Sequence, residues 1–135
     1  MTLHRRIALA AVAALAAGCL TAAVEAAGEQ RSGERVGDTQ QCVPLQFIDQ
    51  TPVIDNKTIL VKMKAKGGYK RIDLLNSCSG LKLSGGFAHS TSTNDLCTTD
   101  PLRVVEPTGP IGATCMIDKI VTIDEAEAKA LMAKR

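Results

Sequence analysis

Of the five cysteines in the chain, Cys42, Cys78, Cys97 and Cys115 stand far apart, and their spacing limits what this sequence can fold into more than any other feature. No two show the gap of about two to four residues that a structural zinc site uses. There is no Cys-x-x-Cys, which argues against thioredoxin-like redox chemistry. In an oxidising compartment such an even, widely spaced set reads as disulfides. A folded core of roughly eighty residues is small enough to need staples, each contributing about 2–4 kcal/mol. Three connectivities are open and the sequence does not choose among them. Stapling each half locally favours Cys42–Cys78 with Cys97–Cys115.

The start of the chain points to that compartment. Met1 to Arg6 is short and basic, Ile7 to Ala17 is an uncharged Ala/Leu-rich run, and small residues follow. That order is the pattern of an export signal, and the apolar run falls short of the roughly 20 residues of a membrane span. Two processing sites compete. Val24-Glu25-Ala26 suits ordinary cleavage, which makes residues 1–26 a signal peptide. Ala16-Ala17-Gly18-Cys19 resembles a lipobox, which would remove residues 1–18 and lipidate Cys19; Ala16 stands where such boxes usually carry Leu. The expected location is outside the cytoplasm, as a periplasmic protein or an outer-membrane lipoprotein. Residues 27–41 carry almost no large apolar side chains and read as a disordered linker.

Residues 42–123 carry the folded domain. Thr51-Pro52-Val53-Ile54 reads as a short edge strand, because Pro52 cannot donate to a ladder. Thr58 to Lys64 and Tyr69 to Leu75 alternate around Gly67-Gly68 and predict a hairpin with both glycines at positive φ in a tight turn. Period-two geometry places Ile59, Val61 and Met63 toward a core, with Ile72 and Leu74 on the matching face of the second strand. Lys62, Lys64, Tyr69, Arg71 and Asp73 then face water. Gly85 to Ala88, Leu102 to Glu106 and Cys115 to Ile123 supply further strands, whereas Ser90 to Thr99 reads mostly as loop. The fold class is mainly β: a small antiparallel sheet or partly open barrel, stapled by disulfides. Residues 124–135 form a helical tail, with Asp124 as cap toward Glu127 and a Glu125–Lys129 pair. A helix this short should fray unless Leu131 and Met132 dock.

Function is less constrained. The 16 Lys and Arg residues nearly balance the 14 Asp and Glu, and there are two Phe, one Tyr and no Trp. That is a poor composition for nucleic acid, which needs a basic field and stacking side chains. No catalytic, cofactor-binding or metal-ligating constellation stands out, and no cofactor is expected. A non-enzymatic accessory or binding module is the leading expectation, with another envelope protein or a membrane surface as partner. One alternative is an anionic-surface binder using Lys62, Lys64 and Arg71, with Lys57 and Lys66 nearby; charge on an exposed strand is more often plain solvation and protection against aggregation. Another is a small hydrolase or thiol enzyme built on Cys97 and His89, for which no third, orienting group is identified.

The order of motifs resembles a known family. A cysteine precedes Ile48-Asp49-x-Thr51-x-Val53-Ile54-Asp55, and Thr58-Ile59-Leu60 leads into a hairpin containing Tyr69. Cys78-x-Gly80-Leu81, Phe87, Leu96-Cys97-x-x-Asp100 and Thr114-Cys115 follow. This is similar to a family of uncharacterised exported proteobacterial proteins, a domain of unknown function with cysteines at these places. The resemblance spans roughly Cys42 to Ile123. It departs from the pattern where Val61 replaces an aromatic and Ser79 replaces a proline. It implies export and a small stapled fold and supplies no activity.

Overall fold

The computed structural model describes residues 34–107, 109 and 112–135. The expected signal peptide, the Cys19 lipidation site and most of the expected linker lie outside these residues. Among the described residues there are nine strands: β1 Thr39–Gln40, β2 Cys42–Pro44, β3 Ile48–Gln50, β4 Thr58–Met63, β5 Tyr69–Leu74, β6 Phe87–His89, β7 Asp95–Cys97, β8 Pro101–Val104 and β9 Thr114–Ile123. Helix α1 is Leu81–Ser84 and helix α2 is Glu125–Met132. Seven strands form one antiparallel sheet in the order β3-β4-β5-β9-β8-β6, with β1 also on β9, and β2 pairs with β7 as a separate ribbon. The sheet curls into a half-barrel. The mainly β, disulfide-stapled architecture with a C-terminal helix is therefore as the sequence predicts.

The long strand β9 organises the sheet. β5 lies along one side of it from Ile117 to Ile123, while β8 and β1 share the other side, β8 at Thr114–Met116 and β1 at Ile120–Val121. Thr39 and Gln40 thus belong to the sheet, not to a linker. Gly37 N–H donates to Thr122 O (2.7 Å) and Thr122 N–H to Asp38 O (2.8 Å), which zips the segment ahead of β1 onto β9.

The predicted hairpin is β4–β5, with Ile59 opposite Ile72 and Val61 opposite Lys70. Its concave face carries Ile59, Val61, Met63, Ile72 and Leu74, which pack with Val43, Leu81, Leu96 and Leu102 into the main core. The connection is longer than a Gly-Gly turn and runs from Lys64 to Gly68, closed by Met63 N–H on Gly68 O (3.0 Å). Of the two glycines Gly68 alone has positive φ (69°), and Ala65 is the other residue of the connection in that region (53°). Gly67 is needed for space: a Cβ there would sit 2.6 Å from Met63 Cβ.

Three other expectations change. The edge strand is Ile48–Gln50, and Val53 makes only an isolated bridge to Ile59. The supposed loop around Leu96 contains β7, which pairs with β2. The convex face of the hairpin is not fully solvated. Leu60 is buried there with Ile54, Val121 and Ile123 beneath α2, which contributes Ala128 and Leu131. Asp124 caps that helix by accepting from Glu127 N–H (2.7 Å), and Leu131 docks while Met132 stays largely exposed.

The disulfides are Cys42–Cys97 and Cys78–Cys115, which corrects the local pairing favoured by sequence. Cys42 and Cys97 are direct cross-strand partners on β2 and β7, with Cα atoms 4.0 Å apart. Cys78 follows β5 and reaches Cys115 on β9 across a Cα separation of 5.8 Å. Each bridge joins segments distant in sequence, and the second begins inside the segment closed by the first. With this pairing, the fold belongs to an oxidising compartment. Among the described residues, no helix is long and apolar enough to cross a membrane.

Candidate functional groove

Strand β5 breaks its own rule at one position. Lys70, Ile72 and Leu74 share the concave face, so alternation puts a lysine where the core wants an apolar side chain. Lys70 is only 2% exposed. Burying an ammonium is costly unless it is paired and hydrogen-bonded, and here both conditions are met. Lys70 Nζ donates to Thr122 Oγ1 (3.0 Å), the side chain of its direct partner on β9. It also makes an ion pair with the Glu34 carboxylate, whose side chain remains 41% exposed. Glu34 leads into a small turn in which Arg35 N–H donates to Asp38 Oδ2 (2.8 Å), directly ahead of the segment zipped to β9.

Lys70 opens onto a groove of about 960 Å³ at the turn end of the hairpin. One wall is Val43, Pro44 and Phe47; the Lys64–Gly68 connection forms another; Glu34, Val36 and Gln40 form the third. Met63, Tyr69, Thr122 and Ile123 complete the surface. Its lining is largely apolar, and two of the side chains are freely presented: Phe47 is 51% and Val36 60% exposed. Lys64, Lys66 and Lys70 oppose a single acid, Glu34, in this lining. Another hollow is smaller and polar, bordered by Lys57, Asp73, Asp118 and Lys119. Volume and lining alike make the first groove the better candidate for holding a molecule.

The residues singled out by sequence do not assemble into one site. Lys62 pairs with Asp49 (3.2 Å), and Lys64 Nζ donates to Gln46 O (2.8 Å). Arg71 is half-buried, with its Nε donating to Asp73 Oδ1 (2.9 Å) and its Nη1 paired with Glu127 of α2. The hydrogen bond to Asp73 holds the Arg71 guanidinium pKa above its ordinary value despite partial burial. Lys62 and Arg71 on the basic hairpin face are thus occupied by carboxylates, in part from α2, and of the basic residues singled out Lys64 and Lys66 line the groove. Cys97 is consumed in its disulfide and offers no thiolate, so the thiol-enzyme alternative is corrected; His89 lies exposed on the edge strand β6. Among the described residues, no group of three His, Cys, Asp or Glu side chains is placed to hold a metal ion.

Sequence reasoning passed over Lys70 and Glu34. A signal for the first was present: any register that sends Ile72 and Leu74 inward sends Lys70 inward too. Glu34 had none, because its role depends on β1 folding back along β9. A family model described as a family of unknown function (DUF6491) matches residues 1–135. No curated protein and no solved structure matches the chain.

Proposed function

We propose that this chain, which belongs to the family of unknown function DUF6491, is a non-enzymatic binding module of an oxidising compartment outside the cytoplasm, with the Lys70 groove as its ligand surface. The observation that carries this reading is the groove itself: a concave, mainly apolar hollow with a few convergent charged groups, the usual make-up of a small-molecule site. The scaffold suits the role. Cys42–Cys97 anchors the β2 wall, which presents Pro44, and the β4–β5 hairpin supplies the floor. The export pattern of residues 1–26 supports a periplasmic or envelope-attached location, and the two disulfides agree with it.

The test uses 1-anilinonaphthalene-8-sulfonate, an amphipathic aromatic anion, followed by backbone-amide NMR of the oxidised protein. Shift changes centred on Val43, Phe47, Gly67 and Gly68, weakened in Phe47→Ala, are expected. Changes scattered over the surface, or none, would remove the groove as the ligand surface. Recovery of the untagged protein from an osmotic-shock fraction or a washed envelope is the matching check on location.

A further inference from the structure

We propose that the groove takes one free amphipathic carboxylate, fatty-acid-like in form, whose head group replaces Glu34 on Lys70 and Thr122. The inference rests on the groove being the ligand surface and adds the chemistry of the ligand. Its starting point is the group already in place. Glu34 puts a carboxylate on a lysine that is otherwise closed off from water, so the buried Lys70 ammonium already holds that kind of anion, with Thr122 Oγ1 beside it.

The corner also has donors to spare. A lysine ammonium has three donors, and Thr122 Oγ1 takes one and Glu34 another. Thr122 Oγ1 accepts from Lys70, so its own hydroxyl hydrogen is free to donate to a carboxylate oxygen beside the ammonium. Hydrogen bonds with both partners ionised are the strong ones, and their strength rises where water is excluded.

Glu34 is held more weakly than the groups it serves. Its side chain is 41% exposed against 3% for Lys70, and it precedes both the turn and the zipped segment at Gly37 and Asp38. A ligand carboxylate can displace it without unpairing β1 from β9. Glu34 then acts as a built-in competitor that keeps Lys70 paired when the groove is empty, since an unpaired buried charge would be costly.

The rest of the lining describes the body of the ligand. Pro44 and the exposed Phe47 offer apolar contact beyond the head group, with Val43 and Met63 buried behind them, while Lys64 and Lys66 on the rim add positive potential that favours an approaching anion. A bilayer surface fits less well. Its phosphates lie in a plane, and a side chain only 3% exposed at the floor of a hollow is beyond their reach.

The experiment is an amide NMR titration of the full oxidised protein with octanoate, octanol and phosphatidylglycerol vesicles in parallel. Octanoate should perturb Lys70, Thr122 and the groove walls and bind about tenfold or more tighter than octanol, as expected for a charge-assisted pair. Lys70→Met keeps the side-chain volume and removes the charge; the Glu34 carboxylate left behind is 41% exposed and can be solvated, and a thermal melt checks that the variant folds. It should lose the preference for octanoate over octanol. Glu34→Gln removes the competitor and should tighten octanoate severalfold, which keeps the test decisive if Lys70→Met does not fold. Equal affinity for octanoate and octanol at the groove would overturn the carboxylate assignment while leaving the groove as a binding surface. An unchanged octanoate affinity in Glu34→Gln would overturn it as well. Binding to the vesicles without binding of octanoate would overturn it in favour of a membrane surface. Perturbations confined to regions away from the groove would remove both readings.

Discussion

Ile59 and Lys62 sit on one strand and on opposite faces, which makes them a clean pair for testing the register. Ile59 is fully buried against Ile72, its direct partner. Ile59→Asp places a carboxylate in that apolar contact and should cost more than about 3 kcal/mol in a urea melt. Lys62→Asp loses only an exposed pair with Asp49 and should stay within about 1 kcal/mol. Equal losses would mean the register is slipped. Val61 would be a poorer probe, because it stands directly across from Lys70 and an aspartate there could gain a partner. That same neighbourhood shows what was legible at this scale. Alternation alone sorts Ile59, Val61, Ile72 and Leu74 inward, and the structure agrees. Pair chemistry was not legible, because the groups satisfying Lys70 come from Thr122 and Glu34, far away in sequence.

Elements with a strong local signal were read correctly, and those defined by their partners were not. The hairpin strands alternate, and α2 carries its own cap, so both follow from nearby residues. β7 has a single buried apolar residue, Leu96, in a polar stretch, and it is a strand only because β2 lies beside it. The docking of α2 left a fainter trace. Ile59-Leu60-Val61 is apolar at three successive positions, the mark of a strand covered on both faces, and Leu60 is the residue α2 covers. Ala128 is the fully buried contact of that helix. Ala128→Glu should undock α2 while leaving the concave core intact, so the loss is limited to the docking energy, about 1–3 kcal/mol. Hydrogen exchange should then quicken along α2 and spare Ile72 and Ile120. Equal acceleration at the core strands would show that the helix is integral to the sheet.

For the whole molecule, the pairing of the cysteines could not be read because it follows from the three-dimensional order of strands. The local alternative, Cys42–Cys78 with Cys97–Cys115, would have made two separate loops, whereas the observed bridges interleave. The difference is measurable at Lys82, which is exposed on α1. A single tryptic cut after Lys82 should leave a species that runs as one molecule without reductant and as two fragments with it. Separation without reductant would establish the local pairing instead.

Interleaving has a consequence for survival among proteases. Any one backbone break between Cys42 and Cys115 is spanned by at least one bridge, so no such nick can release a piece of the domain. In a compartment where peptide bonds are attacked and thiols are scarce, damage is thereby converted from loss of mass into a local loosening. The wall formed by β2 and the floor formed by β4 and β5 remain parts of one covalent object after the chain between them has been cut.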